Sequence, residues 1–235
     1  NKANALFFSF FSCIKFLYNQ FLLIFMKAEE ILPKIYHINF KTQKELTSTF
    51  LRFQEYYESP KFRNKVFTLK EYKKWYIKNS EKGKKFNKFT YYYDWSGFNI
   101  PSYILKPFYK GKFNPLSKKE KNLLRVFTNI KGDFYIIGTF GLKKTLKHEI
   151  AHGLFYTNNS YKKEILKVLS KINKECQNKI NKYLSDSGGY HKNSWQDETQ
   201  AYLLTHTEEL HDTGINKTYL IKLKKRIYSI YKKYS

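Results

Sequence analysis

The sequence has few of the residues that cross-link a chain or interrupt it. Its 235 residues include two cysteines, Cys13 and Cys176, which form no C-x-x-C pair and are too few for a disulfide framework. Only ten glycines and five prolines occur, and no stretch rich in both marks a linker. These absences suit a reducing compartment, so we expect a cytoplasmic protein with a single domain over residues 26–235.

Arginine is also scarce, which bears on the formal net charge of +25. Only four of the 44 basic residues are arginines. Surfaces that read bases or clamp phosphates favour arginine, because its planar fork makes two parallel hydrogen bonds. The lysines are spread along the whole chain rather than collected in one arm. This pattern favours a solvated basic surface on a monomer and argues against nucleic acid as the partner.

The first 25 residues contain no acid and form an apolar leader. Residues 6–25 are Phe-rich and, at 20 residues, long enough to cross a membrane. Charged and amide side chains interrupt this stretch, and no small-residue cleavage site follows it. Three interpretations stay open: upstream sequence translated before a true start at Met26, a signal anchor, and a buried helix. We favour the first, so a membrane association is expected only if residues 1–25 are a genuine anchor.

The first half of the remaining chain mixes helix and strand patterns. Apolar residues at spacings of four, three and four predict a helix over residues 46–60. Two capping boxes, Thr68 with Glu71 and Ser117 with Glu120, predict the starts of two further helices. We expect FTYYYDW to be a strand before a turn at residues 94–97, and DFYIIGTF (residues 133–140) to be the strongest strand.

After residue 140 the pattern becomes helical. It predicts a helix that ends near TNNS, a long helix from about residue 160 to 188, a short helix over 194–205, and a last amphipathic helix. The fold class expected is therefore α+β. Mixed helices and short strands form its N-terminal part, and helices form its C-terminal part.

The first of these C-terminal helices carries HEIAH, residues 148–152. Residues four apart lie one turn above each other on a helix, so His148 and His152 can direct their imidazoles at one Zn²⁺ ion. Glu149 lies about 100° further round the helix, where it can reach a water on the metal and act as a general base. Chance supplies this spacing roughly 0.01 times in a chain of this composition. The apolar residues around the motif indicate a buried helix, where unpaired imidazoles are costly.

The segment TLKHEIAHGL (residues 145–154) resembles the active-site helix of the zincin metallopeptidases. This resemblance covers ten residues and implies a small zincin-like domain that hydrolyses a peptide or protein substrate. In glutamate-type zincins the third zinc ligand is a Glu on a later helix, and Glu198 in WQDETQAYLL resembles it. Asp197, His206 and His211 stay open as rivals. No Asp stands four residues after Glu198, so Asp197 is the candidate to orient a ligand imidazole.

A hydrolase also needs a donor that stabilises the oxyanion, and His191, Tyr190 and Tyr202 are the candidates. Two other classes of function stay open. One is a zincin-fold protein that binds or regulates without turnover. The other is a basic nucleic-acid-associated protein with structural zinc. We expect an extended substrate to pair as a strand beside DFYIIGTF.

Overall fold

A four-stranded sheet separates two hydrophobic clusters. The computed structural model describes residues 26–59, 61–141, 143–188 and 190–235, so the interpretations of residues 1–25 lie outside the described residues. The strands are β1 (Glu29–Leu32), β2 (Ile35–Asn39), β3 (Gly97–Pro101) and β4 (Tyr135–Thr139), in the order β1-β2-β4-β3. The pair β2/β4 is parallel, whereas β1/β2 and β3/β4 are antiparallel.

Helices make up most of the rest of the described chain. They are α1 (Gln43–Glu58), α2 (Leu69–Asn79), α3 (Glu81–Phe86), α4 (Lys106–Tyr109), α5 (Lys118–Phe127), α6 (Lys143–Thr157), α7 (Asn159–Leu169), α8 (Lys174–Gly188), α9 (Trp195–Thr205), α10 (Thr207–His211) and α11 (Lys217–Tyr234). The α+β class is confirmed, with a small sheet in the N-terminal part and helices in the C-terminal part. Both predicted capping boxes are present, at the starts of α2 and α5.

Alternation along β4 explains why all five of its residues are buried. Tyr135 and Ile137 face the cluster formed with the C-terminal helices, while Ile136 faces the aromatic cluster formed with α1, α2 and α5. Successive side chains of a strand point to opposite faces, so a strand with a core on each side is apolar throughout. No helix among the described residues has the length and apolar character needed to cross a membrane.

Two local predictions were wrong. The segment predicted as a strand before the turn contains a single 3-10 turn at Tyr91–Tyr93, because the buried Tyr91 ring packs among other aromatic rings and the Thr47 hydroxyl donates to the Tyr92 carbonyl. The long helix expected from residue 160 to 188 is divided into α7 and α8. Asn173 causes the second start, because its side chain accepts a hydrogen bond from the Cys176 backbone at 2.8 Å.

The predicted pairing of a substrate beside DFYIIGTF was also wrong. This segment forms β4, which already has β2 on one side and β3 on the other. Both of its edges are therefore engaged in the sheet. Strand β3 lies at the edge instead, and its outer side pairs with no strand among the described residues.

Candidate metal centre

Helix α6 carries the HEIAH motif across one face of the sheet. Gly153 permits the close approach, since a Cβ atom at this position would lie 2.9 Å from Cδ1 of Ile35 on β2. The buried residues Ala151 and Leu154 belong to the same hydrophobic cluster as Ile35. The motif is therefore fixed by packing, as its apolar neighbours in the sequence predict.

Three side chains converge at the centre of the site. Nε2 of His148 lies 3.1 Å from Nε2 of His152, and Nε2 of His152 lies 3.7 Å from Oε2 of Glu198 on α9. One ligand atom from each residue falls within 4.8 Å of the other two. The structure thus brings together the three residues that were predicted to be metal ligands.

These three atoms suit a zinc ion in chemistry, and two of their spacings are close to those of zinc ligands. Ligands about 2.0–2.1 Å from a tetrahedral zinc are about 3.3 Å from each other, and the distances of 3.1 and 3.7 Å fall on either side of that value. Glu198 is 4% exposed, and its Oε2 is buried without a hydrogen-bond partner among the described residues. An orphaned carboxylate oxygen beside two imidazole nitrogens is the donor set that zinc prefers.

The remaining nitrogen of each imidazole has a partner that fixes the ring. Nδ1 of His152 lies 2.9 Å from Oδ1 of Asp197, and Nδ1 of His148 lies 2.9 Å from Oγ1 of Thr205. The Thr205 hydroxyl donates to the Ala201 carbonyl, so its oxygen is free to accept from the imidazole. Partners of this kind hold each ring so that its Nε2 points inward.

The rival ligands occupy other positions. Asp197 contacts the outer nitrogen of His152, in the orienting position suggested for it. His206 lies 5.0 Å from His148 between ring centroids, and its Nδ1 is 2.7 Å from the Thr205 hydroxyl. Nδ1 of His211 lies 2.8 Å from the Ile215 carbonyl, and the residue does not line the cleft described below.

Burial and neighbouring charges shift the pKa values of all three converging groups. Burial, together with the nearby His152, holds the pKa of His148 well below its usual value and favours the neutral imidazole that binds metals. Burial alone would also lower the pKa of His152, but the carboxylates of Asp197 and Glu198 outweigh it and raise that pKa well above the usual value. Burial raises the pKa of Glu198 well above its ordinary range, against the opposing effect of His152.

Glu149 lies on the side of α6 that faces strand β3, against Gly97 and Asn99. Its Oε2 accepts a hydrogen bond of 2.6 Å from Nδ2 of Asn99, and the Tyr135 hydroxyl in turn donates to Oδ1 of Asn99. Its other oxygen lies against Gly97, where an added Cβ atom would come within 2.3 Å. Burial raises the pKa of Glu149, with His152 and Asn99 acting in the opposite direction.

A cleft of about 320 Å³ opens beside these residues, between α1, β3, α6 and α9. His148, Glu149, His152 and Glu198 all line it. The three predicted oxyanion candidates, Tyr190, His191 and Tyr202, line it as well, and the choice among them stays open.

Several residues of the site were missed by the sequence analysis. Asn99 and Thr205 hold Glu149 and His148 in place, and Glu55 and Glu58 of α1 line the cleft opposite α9. For Asn99 the sequence carries no signal, because its partner lies 50 residues away. Glu58 offered one signal, since no Lys or Arg lies three or four residues before it on its helix.

Comparisons with known proteins add no assignment. No family model, no curated protein and no solved structure matches the chain significantly.

Proposed function

We propose that the protein is a zinc-dependent metallopeptidase that hydrolyses a peptide or protein substrate. The observation that supports this most directly is the buried, unpartnered Oε2 of Glu198 beside Nε2 of His148 and His152. A buried carboxylate oxygen without a hydrogen bond is unfavourable, and a cation bound at this point relieves it.

His148, His152 and Glu198 would hold the ion, and Asp197 and Thr205 would orient the two imidazoles. A bound zinc ion supplies a Lewis acid and lowers the pKa of a coordinated water to about 7. Three protein ligands leave one position open, which is the arrangement of catalytic rather than structural zinc sites.

Glu149 is the general base in this proposal. Asn99 donates to its Oε2, which leaves Oε1 to accept a proton from an attacking water. The raised pKa of Glu149 lets the carboxyl group retain that proton until it is passed to the leaving amine. Asn99 and Tyr135 keep the carboxylate fixed in this role, so no reorganisation is needed during the reaction.

Strand β3 provides a place for an extended substrate. Its outer edge is unpaired among the described residues, and Gly97 and Asn99 line the cleft. A peptide that adds to this edge has its backbone hydrogen-bonded beside Glu149.

Quenched peptide libraries incubated with the zinc-loaded protein and with Glu149→Gln test this proposal. Glu149→Gln should bind zinc as tightly as the natural protein and lose about 10²–10⁴-fold in kcat, because the metal ligands stay while the base is lost. Glu164→Gln, at a partly exposed site on α7 away from the cleft, is the matched control and should keep full activity. Zinc binding without hydrolysis by the natural protein would favour the non-catalytic regulatory class instead.

A further inference from the structure

The ionisable side chains that line the cleft differ from those of the chain as a whole, because they include five carboxylates and no described Lys or Arg. In a chain with 44 Lys and Arg residues, none of the described residues that line the cleft is Lys or Arg. Five carboxylates line it, those of Glu149, Glu198, Glu55, Glu58 and Asp94. The metal would neutralise Glu198, and Glu149 is required as the base, so negative charge remains at the end formed by α1.

Glu58 lines the same cleft as the metal-site residues, and their charges affect its pKa. His152 lowers this pKa, whereas Glu149 and Asp197 raise it. Its one hydrogen bond comes from a neutral donor, since Nε2 of Gln54 donates to its Oε2 at 2.6 Å. Burial raises the pKa of Glu58 to about 7, which shows how little compensates its charge.

Glu55 differs from Glu58 in its partners. Hydroxyl groups of Tyr91, Tyr72 and Ser59 hydrogen-bond to its carboxylate and offset part of the effect of burial. Asp94 has a cationic partner, because Nζ of Lys82 lies 3.0 Å from its Oδ1. Glu58 has no ion pair with a Lys or Arg in the described parts of the chain, although lysine is abundant.

An orphaned acceptor lies beside Glu58. Oε1 of Gln54 is buried and has no hydrogen-bond partner among the described residues, and Gln54 lines the same cleft. A buried acceptor without a donor costs free energy, so a donor supplied by a ligand stabilises the complex. A carboxylate and an amide oxygen together match a cation that carries several N–H groups.

We propose that Glu58 and Gln54 form a subsite that selects substrates with a cationic nitrogen group next to the scissile bond. This group is either the side chain of a Lys or Arg residue or a free N-terminal amine. The inference rests on the proposed function, because the metal site in the same cleft defines where the scissile bond lies. A charge-assisted hydrogen bond gives a preference of about 10- to 100-fold over a neutral group of the same size.

The first experiment measures kcat/KM on matched peptides. The peptides differ at one position, with Lys, norleucine or Glu next to the cleaved bond, and each is made with a free and with an acetylated N-terminus. The natural protein should prefer Lys over norleucine by about 10- to 100-fold if the side chain is the source. If the N-terminal amine is the source, acetylation of the N-terminus should instead lower kcat/KM by about 10- to 100-fold.

Glu58→Gln should reduce that preference to within about threefold of unity, because it removes the charge and keeps the size. Glu58→Asp keeps the charge and should retain part of the preference, which also covers the case in which Glu58→Gln does not fold. Glu175→Gln is the matched control, since Glu175 is an exposed carboxylate paired with Lys179 on α8. It should leave the preference unchanged.

The second experiment measures binding without turnover. Calorimetric titration of the Glu149→Gln protein with Nα-acetyl-lysine amide, norleucine amide and Nα-acetyl-norleucine amide should give tighter binding for one of the two cationic ligands than for the third, which is neutral. Adding Glu58→Gln should abolish that difference. Equal affinity for all three ligands would overturn the subsite, whether or not the protein hydrolyses peptides. Cationic selectivity in binding together with no cleavage of any peptide would support the subsite and reject the peptidase.

Discussion

The replacement of Glu198 gives the most direct test of the metal centre. Zinc that binds only the folded state stabilises it by about 2.7 kcal/mol at a free concentration 100 times the Kd. For a chain of this size each kcal/mol raises the Tm by about 2–4 °C, so zinc should raise the Tm of the natural protein by about 5–11 °C. Glu198→Ala removes the charged ligand and should lower the affinity at least 100-fold, beyond what an orienting residue contributes.

The same zinc concentration then corresponds to about one Kd or less of the variant. The stabilisation falls to about 0.4 kcal/mol, and the Tm shift to about 1–2 °C. Differential scanning fluorimetry with zinc and with EDTA measures both shifts. Glu175→Ala, which removes an exposed carboxylate on α8, should keep the full shift.

Replacement of Glu198 also has an expected effect on stability in the absence of zinc. Burial raises the folded pKa of Glu198, so the ionised group opposes folding at neutral pH. Glu198→Gln, which keeps the volume and removes the charge, should therefore be at least as stable as the natural protein in EDTA. A zinc-dependent Tm shift in Glu198→Ala equal to that of the natural protein would refute the reasoning, because a ligand cannot be lost without lowering the affinity.

Three further predictions follow from neighbouring contacts. Asp197→Ala should weaken zinc binding by about 10–100-fold, because it removes the partner of the outer nitrogen of His152. Competition with a chromophoric chelator measures this affinity, and an unchanged value would show that Asp197 does not orient the ring. Gly97→Ala should lower kcat about 100-fold and leave the zinc-dependent Tm shift intact, because its Cβ atom would displace the Glu149 carboxylate; full activity would contradict that placement of the base. In EDTA, the stability that Glu58 contributes is present below about pH 4.5 and lost as the pH rises through about 7, since its folded pKa is raised. Thermal melts from pH 5 to 8 should therefore show Glu58→Gln becoming progressively more stable than the natural protein, and a constant difference would contradict the raised pKa.

The residues that the sequence predicted well are those whose information is local. The spacing of His148, Glu149 and His152 is defined within one helix, and helix α6 ends at Thr157, where TNNS predicted its end. Glu198 could be singled out because a carboxylate among apolar residues on a short helix needs a partner, and the structure gives it two imidazoles as neighbours. Its assignment as a ligand stays a prediction.

What could not be predicted depends on contacts between distant segments or on turns with a weak signal. The hairpin of β1 and β2 turns through Pro33 and Lys34, and Lys34 has a φ of 65°, where a glycine or asparagine would have indicated the turn more clearly. The parallel pairing of β2 with β4 joins segments about 100 residues apart, and it is this pairing that makes β4 a central strand. The error about the substrate edge follows from missing that pairing.

The net charge of the chain also does not show which charged residues line the site. A formal charge of +25 describes the whole chain and favours anionic partners on average. Helices α1 and α9 nevertheless direct Glu58 and Glu198 into one cleft. No described Lys or Arg lines that cleft. Interactions between exposed charges are screened beyond about 10 Å, whereas those inside a desolvated cleft are screened much less. The substrate preference of the protein is therefore expected to follow the few carboxylates of the cleft rather than the many lysines of the surface.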